Sequence, residues 1–333
     1  FDLNGFIVVR GVFSPDQVAA VNAAVDLHRE DAHARSKGAV RNTIDGTGLS
    51  GSGPRVDLGG FLGWEASTGR DVLRSVLAHP RLLPYLTTLC GPGYRLDHSP
   101  LIIMQGSGSE GFQLHGGTVD CGSGRHNPTL AYTCHQGKPH CALLACSLVL
   151  ADHGPGDGGF VVVRGSHKSN FAFPAAMRHG DSYAEHLHQP VMRAGDVLLF
   201  SEGTVHGATG WSAEHERRIA LYRFTPHNMA YGRAYVHEGG WPESLLQLLV
   251  VVSAVGCGLP SLTLSVLQVR SIFTLLATSH KTWAVTTTAT TATKATAAAA
   301  AAASTSRPII SCHRLLRSLQ GRKCRLMTFS FLI

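Results

Sequence analysis

Hydrophobic and polar positions in the first part of the chain predict a strand followed by a helix. Residues 6–12 are rich in β-branched side chains, as expected of a strand. Ser14 and Pro15 then predict a helix start, because serine caps a helix and proline suits its first position. The next hydrophobic residues recur at helical spacing and predict one buried face, made of Val18, Val21, Ala24 and Val25.

Two further segments precede the central part of the chain. Residues 37–60 are rich in glycine and small polar residues and predict a loop, of a length typical of a lid or binding segment. Residues 71–89 predict a second helical stretch whose regularity is limited by Pro80 and Pro84. Residues 94–105 predict a strand that enters the core.

Short apolar runs separated by glycine-rich turns fill residues 112–224. Residues 142–150 form a continuous apolar run, typical of a buried strand, and three later strands are predicted at 160–163, 197–200 and 218–224. Many short strands with such turns indicate a mainly β domain of the barrel or jelly-roll type. We place this domain at residues 1–240.

The character of the sequence changes after about residue 240. Residues 244–269 carry no charge, but glycines and a proline interrupt them, so we expect no transmembrane span. Residues 286–305 consist almost entirely of threonine, alanine and serine, which cannot build a packed core. We therefore interpret residues 241–333 as a low-complexity extension that is disordered, or as a gene-model artefact.

Charge and cysteine content narrow the function only slightly. The formal net charge is +7, yet much of the excess lies at 307–325 and no basic stripe is interleaved with aromatic residues, so we expect no nucleic-acid partner. The eight cysteines form no CxxC pair, which excludes a zinc ribbon and favours a reducing, cytoplasmic location. The chain begins with Phe1 rather than methionine, so we expect an incomplete N-terminus.

Two histidines and an arginine carry the candidate chemistry. His115 ends the run GFQLH, His206 follows GDVLLFSEGTV, and Arg217 lies 11 residues after His206. Imidazole is a common metal ligand, and two histidines with one carboxylate suit a non-haem Fe(II) site with open positions. The planar fork of an arginine matches the carboxylate of a cosubstrate. Arg218 is the fallback, because neighbouring residues point to opposite faces of a strand.

Over about residues 1–235 the sequence resembles the phytanoyl-CoA dioxygenase family. The stretches NGFIVVRGVFSPDQVAAV, GGFVVVRGSHKSNF and GDVLLFSEGTVHGATGW…RRIALYRF carry the resemblance. It implies a double-stranded β-helix (a jelly-roll, cupin-like core) with flanking N-terminal helices. It also implies oxidation of a small organic substrate with Fe(II), O₂ and 2-oxoglutarate. His206 then matches the second ligand histidine and Arg217 the residue that binds 2-oxoglutarate.

The first ligand motif departs from the family pattern. The family shows His-x-Asp, whereas His115 is followed by Gly116 and Gly117. Another carboxylate is one explanation: Asp120 is our tentative third ligand, brought back by a Gly-Gly bend. Glu202 is the less favoured alternative, expected on the strand face of His206 by period two. Otherwise a halide fills the position, as in related halogenases, or the iron site is weak or lost.

Three functions follow from these alternatives. We favour a 2-oxoglutarate-dependent dioxygenase that hydroxylates a small organic molecule, with no catalytic residue beyond the metal ligands. The others are a 2-oxoglutarate-dependent halogenase and an inactive jelly-roll binding protein. The remaining candidates are interpreted as structural: His167 as a turn residue, Trp211 as a packing residue, and a solvated loop containing His126, His135 and His140. The sequence determines neither the substrate nor the oligomeric state.

Overall fold

Antiparallel strands dominate the chain in the computed structural model, which describes residues 1–34 and 43–231. The helices are α1 (Pro15–Leu27), α2 (Thr68–Ser75) and α3 (Leu83–Cys90). The strands are β1 (Phe6–Val9), β2 (His33–Ala34), β3 (Val56–Leu58), β4 (Arg95–Leu96), β5 (Leu101–Gln105), β6 (Phe112–His115), β7 (Tyr132–His135), β8 (Lys138–Cys141), β9 (Leu144–Val149), β10 (Gly159–Val163), β11 (Leu187–His188), β12 (Val197–Ser201), β13 (His206–Thr209) and β14 (Arg217–Thr225).

These strands form two facing sheets and a separate hairpin. The larger sheet has the order β1-β12-β9-β14-β5-β3-β2, with β4 also paired to β14. The smaller sheet has the order β11-β10-β13-β6, and β7 pairs with β8. Within residues 1–34 and 43–231, the sheets do not close into a barrel. The predicted mainly β, jelly-roll class of the double-stranded β-helix is nevertheless confirmed, with the flanking N-terminal helices in place.

The larger sheet is covered on both faces. On its outer face, apolar residues of the helices, such as Val21, Leu73 and Leu86, are fully buried in one cluster with Tyr222 of β14. On its inner face, side chains of β5, β9, β12 and β14 form a second cluster with Phe160 and Val162 of the smaller sheet. Burying both faces of one sheet stabilises the frame in which any site between the two sheets is held.

Local predictions are largely confirmed in the N-terminal region. Helix α1 begins at Pro15, and Ser14 and Gln17 form the reciprocal capping box. The predicted helical stretch at 71–89 is two helices, since the chain turns before Pro84 in the first turn of α3. The predicted loop at 37–60 is wrong at its end: Val56–Leu58 satisfies its backbone hydrogen bonds by pairing with β5.

Other predictions concern segments that the structure describes only in part. Residues 35–42 and the predicted extension at 241–333 lie outside the described residues, so the uncharged segment at 244–269 does too. Within the described ranges, no helix has both the length and the apolar character needed to cross a bilayer. The five cysteines in these ranges are free thiols, and Cys141 and Cys146 are among the buried ones.

A pair of glycines lets the end of β6 approach a neighbouring turn. Gly116 and Gly117 both have left-handed backbone, with φ of +86° and +82°. A Cβ atom on Gly116 would lie 2.3 Å from the Thr204 carbonyl oxygen and 2.8 Å from that of Glu202. A Cβ atom on Gly117 would meet nothing closer than 3.4 Å. Only Gly116 is therefore required for the close contact with the 202–206 turn.

This difference predicts unequal effects of two alanine substitutions. Gly117→Ala should cost about 1–2 kcal/mol of unfolding free energy, the usual penalty for left-handed backbone. Gly116→Ala should cost more, because its Cβ collides with backbone oxygens that cannot rotate away. Chemical denaturation of both variants measures the two losses. Equal losses would show that β6 does not depend on this close contact.

Candidate active site

His115 and His206 face each other across two paired strands. His115 is the last residue of β6, His206 is the first of β13, and the two are direct partners in the antiparallel register. Their ring centroids are 4.2 Å apart. His206 is buried and His115 partly buried. The strand pairing itself therefore brings together two histidines that are far apart in the sequence.

Backbone carbonyls set which ring nitrogen of each histidine carries hydrogen. Nδ1 of His115 lies 3.0 Å from the carbonyl oxygen of Gln113, and Nδ1 of His206 lies 2.7 Å from that of Thr204. A carbonyl oxygen only accepts, so a neutral ring must donate from Nδ1 and keeps its lone pair on Nε2. This is the arrangement by which metal-binding histidines are usually oriented.

Glu202 completes a cluster with the two histidines. One potential ligand atom from each of His115, Glu202 and His206 lies within 4.8 Å of the others. Glu202 Oε2 is 3.5 Å from His206 Nε2, and the glutamate is only 5% exposed. Two imidazoles and a carboxylate are a donor set that suits Fe(II). In the part of the chain that the structure describes, no second cluster of three such residues exists.

A neighbouring arginine keeps Glu202 ionised. Arg223 Nε donates to Glu202 Oε1 at 2.6 Å. Burial raises the pKa of the Glu202 carboxyl, but Arg223, His206 and His115 outweigh that effect and bring the pKa to about 2. The carboxylate is therefore negatively charged at neutral pH, as a metal ligand must be.

The structure does not bring Asp120 into the cluster. Its side chain is exposed, and one carboxylate oxygen accepts from the backbone of Gly122 and from the backbone and hydroxyl of Ser123. These turn bonds also lower the pKa of Asp120. The Gly-Gly bend leads the chain outward rather than back. Our ranking of Asp120 above Glu202 therefore disagrees with the geometry.

Glu202 reaches the histidines for a reason different from the predicted one. It does not share a strand with His206: β12 ends at Ser201, β13 begins at His206, and the two strands belong to different sheets. The turn between them carries Glu202 from one sheet toward the other. Period-two alternation therefore does not explain their proximity.

Arg217 lies within the same inter-sheet space with a fully buried guanidinium group. Its Nη1 donates to Gln105 Oε1 at 2.5 Å, and its Nε donates to His153 Nε2 at 3.0 Å. Burial, reinforced by nearby Arg55, lowers the pKa of Arg217 to about 9, so it stays charged at neutral pH. Among the described residues, no carboxylate forms an ion pair with it. A buried charge of this kind calls for an external anion.

The neighbouring Arg218 has a different environment. It donates to Glu216 and Asp26 near the surface, on the opposite face of β14. The two arginines thus point to opposite faces of β14, as the alternation of a strand predicts, and Arg217 is the one that lines the cavity.

A neutral histidine supports Arg217 from one side. Burial, with Arg217 and His215 nearby, lowers the pKa of His153 to about 2, so its ring is neutral and accepts the Arg217 hydrogen bond. The Trp211 ring packs edge-on against His153, and its indole N–H donates to the His215 carbonyl. Trp211 is therefore a packing residue that fixes the support of Arg217.

One cavity of about 330 Å³ joins the histidine pair to Arg217. It lies between the two sheets and is lined by both sets of residues. Its wall is otherwise mainly apolar, formed by Leu101, Ile103, Phe160, Met192, Leu198, Phe200, Ile219 and Leu221. Arg223 and His98 line it as well. A small molecule with a carboxylate suits a cavity of this size and charge.

The remaining sequence candidates lie elsewhere. His167 is buried in a short turn beside the Asp2 carbonyl oxygen. His126, His135 and His140 are exposed, the last two on the β7–β8 hairpin. Their interpretation as structural or solvated residues agrees with these positions.

The sequence analysis missed several residues of the cavity. Arg223 was within reach, because alternation along β14 puts it on the face of Arg217. Three other residues could not be predicted, because they come from separate segments that only the folded sheets bring to Arg217: Gln105, His153 and Arg55.

The family model that matches this chain covers part of the site but not His115. The sequence model described as phytanoyl-CoA dioxygenase (PhyH) matches residues 118–219, which include Glu202, His206 and Arg217. No curated protein matches the chain.

The solved structures similar to this chain include three of HygX from Streptomyces hygroscopicus. The complex with nickel, 2-oxoglutarate and hygromycin B is 25% identical, with a TM-score of 0.55 over 70% of this chain and 87% of HygX. The form with nickel and 2-oxoglutarate is 23% identical, with a TM-score of 0.56 over 74% of this chain and 91% of HygX. The iron-bound form is 24% identical, with a TM-score of 0.54 over 74% of this chain and 90% of HygX. Residues 118–219 are therefore similar to the phytanoyl-CoA dioxygenase family, and the family model and the HygX complex together indicate a 2-oxoglutarate-dependent non-haem iron enzyme.

Proposed function

We propose that this chain is an Fe(II)- and 2-oxoglutarate-dependent dioxygenase that hydroxylates a small organic substrate. The observation that carries the proposal is the shared cavity: two histidines, each with Nδ1 facing a backbone carbonyl, and a buried arginine all line it. His115 and His206 would hold the iron. Arg217 would bind the distal carboxylate of 2-oxoglutarate.

The charge of Arg217 supports this assignment. A guanidinium that is 3% exposed and hydrogen-bonded only to neutral groups gains most from a carboxylate, which it can bind through two parallel bonds. HygX, which shares 25% identity with this chain, binds 2-oxoglutarate in its crystal structure. The anion that Arg217 lacks among the described residues would thus arrive with the cosubstrate.

The protein's part in the reaction would be placement and exclusion of water. Bound Fe(II), with O₂ and 2-oxoglutarate, supplies the oxidation: one oxygen atom goes to the substrate C–H bond, the other to succinate, and CO₂ is released. Arg217 orients the cosubstrate, and the apolar wall around Leu198, Phe200 and Leu221 keeps water from the reacting groups.

Anaerobic addition of Fe(II) and 2-oxoglutarate should produce a metal-to-ligand charge-transfer band in the visible spectrum. The band reports chelation of the cosubstrate to iron, and exposure to air should then release succinate. His206→Ala should abolish both signals because it removes one ligand. Neither band nor succinate from the wild-type protein would overturn the proposed function, and the absence of bound iron in protein purified anaerobically would then favour a non-enzymatic binding protein.

Arg217→Gln should weaken 2-oxoglutarate binding by at least about 30-fold, or about 2 kcal/mol, because a buried charge partner is lost. Anaerobic titration followed by the visible band measures this change. The matched control is Arg218→Gln on the opposite face of β14, which should leave binding unchanged. Undiminished 2-oxoglutarate affinity in Arg217→Gln would remove Arg217 from the site.

A halogenase is the second candidate, and Gly117 is the observation that favours it. With no side chain at that position, chloride has a place to bind the metal. Glu202, which lies within the histidine cluster, argues against it. We therefore expect the 2-oxoglutarate affinity of the Fe(II) protein to be the same in chloride and in gluconate buffer. Binding that tightens several-fold with chloride would favour the halogenase instead.

A further inference from the structure

We propose that Glu202 supplies the carboxylate ligand that position 117 lacks, and that Arg223 positions it. The inference rests on the proposed function, since the metal concerned is its iron. It assigns the three protein ligands to His115, Glu202 and His206. The carboxylate would then come from the β12–β13 turn rather than from the strand end that carries the first histidine.

The backbone around Gly116 makes this relocation possible. The end of β6 approaches the turn so closely that any Cβ at Gly116 would overlap the carbonyl oxygens of Thr204 and Glu202. An ordinary residue after His115 would push the turn, and Glu202 with it, away from the histidines. Glycine at position 116 therefore allows the 202–206 turn to hold Glu202 near the histidines, where its carboxylate can replace the one that Gly117 lacks.

The position of Glu202 suits a ligand better than that of any rival. Its Oε2 lies 3.5 Å from His206 Nε2, its side chain is almost fully buried, and it shares a cluster with both histidines. Asp120 is exposed and occupied by its own turn. Within the described residues, Glu202 is the carboxylate that stands in reach of both His115 and His206.

Arg223 contacts one oxygen of the Glu202 carboxylate, and the other oxygen lies toward His206. Its Nε donates to Oε1 at 2.6 Å, while Oε2 is the oxygen that lies toward His206. A ligating carboxylate is normally held in this way by a hydrogen bond to its other oxygen. Arg223 comes from β14, a strand of the buried sheet, so it is a rigid support. We assign it as a positioning residue.

The assignment also bears on the choice between hydroxylation and halogenation. A carboxylate from Glu202 would take the metal position that a halogenase leaves to chloride. The enzyme would then resemble an ordinary hydroxylase at the metal, despite its His-Gly-Gly sequence.

Metal affinity tests the ligand role directly and needs no substrate. Mn²⁺ is titrated into metal-free protein, and free Mn²⁺ is measured by electron paramagnetic resonance. Glu202→Gln keeps the size of the side chain and an oxygen that accepts from Arg223, so the fold should survive. We expect its affinity to fall by more than about 10–100-fold, the loss typical of a supporting residue. The matched control is Glu216→Gln, whose carboxylate also lies 2.6 Å from an arginine Nε; its affinity should not change.

A second pair of variants tests the positioning role. Arg223→Gln should weaken Mn²⁺ binding by about 10–100-fold, and Arg223→Lys should recover part of the loss. Arg218→Gln on the same strand should have no effect. In the double variant of Glu202→Gln and Arg223→Gln, the losses should not add, because Arg223 acts only through Glu202. Additive losses would overturn the positioning role.

The outcomes separate this inference from the proposed function. If Glu202→Gln binds Mn²⁺ with wild-type affinity while His206→Ala does not bind it, Glu202 is not a ligand. The two-histidine metal site of the proposed function would still be supported. No Mn²⁺ binding by the wild-type protein would overturn both. If Glu202→Gln does not fold, Glu202→Asp replaces it: the shorter carboxylate should also bind Mn²⁺ weakly, and wild-type affinity would count against the proposal.

Discussion

The pairing of β6 with β13 is the interaction on which the site depends. It sets His115 directly opposite His206, and backbone carbonyls two residues before each histidine fix both rings with Nε2 as the available ligand atom. Neither feature needs a metal to form, because hydrogen bonds of the backbone supply both. A slip of one residue would turn one ring to the other face of the sheet. The site is thus built into the fold rather than added to it.

Electrostatics then distinguish the two ends of the cavity. Arg223 is neutralised by Glu202, so that end holds a paired charge beside the histidines. Arg217 has only neutral partners in the described part of the chain, so its end holds an unpaired positive charge. At the first end, the histidine nitrogens and the Glu202 carboxylate are donor groups that suit a metal cation, whereas the positive charge of Arg217 at the second end suits an anion. Iron and the distal carboxylate of 2-oxoglutarate have these charges, and the apolar wall between them strengthens both attractions by excluding water.

The sequence predicts the fold and half of the site, for physical reasons that particular residues illustrate. Apolar runs predicted the buried strands well because each strand buries a regular pattern of side chains. Alternation along a strand is local, so the sequence could predict that Arg217 and Arg218 face opposite sides of β14, while the resemblance to the family indicated which of the two faces the cavity. Asp120 was preferred to Glu202 as the third metal ligand, and Glu202 was considered only because of strand alternation. The sequence could not show the path of the Gly-Gly turn, because that path depends on the backbone atoms it contacts, here the carbonyls of residues 202 and 204. His153 and Gln105 gave no signal, since their role exists only once distant strands are adjacent.

We propose that one cavity holds Fe(II) at its histidine end and 2-oxoglutarate against Arg217. A crystal structure of the protein grown anaerobically with both ligands would show whether it does. We expect metal density bound to Nε2 of His115 and His206 and to a carboxylate oxygen of Glu202. We also expect the distal carboxylate of 2-oxoglutarate paired with the Arg217 guanidinium. Metal bound away from the two histidines, or 2-oxoglutarate without contact to Arg217, would contradict it.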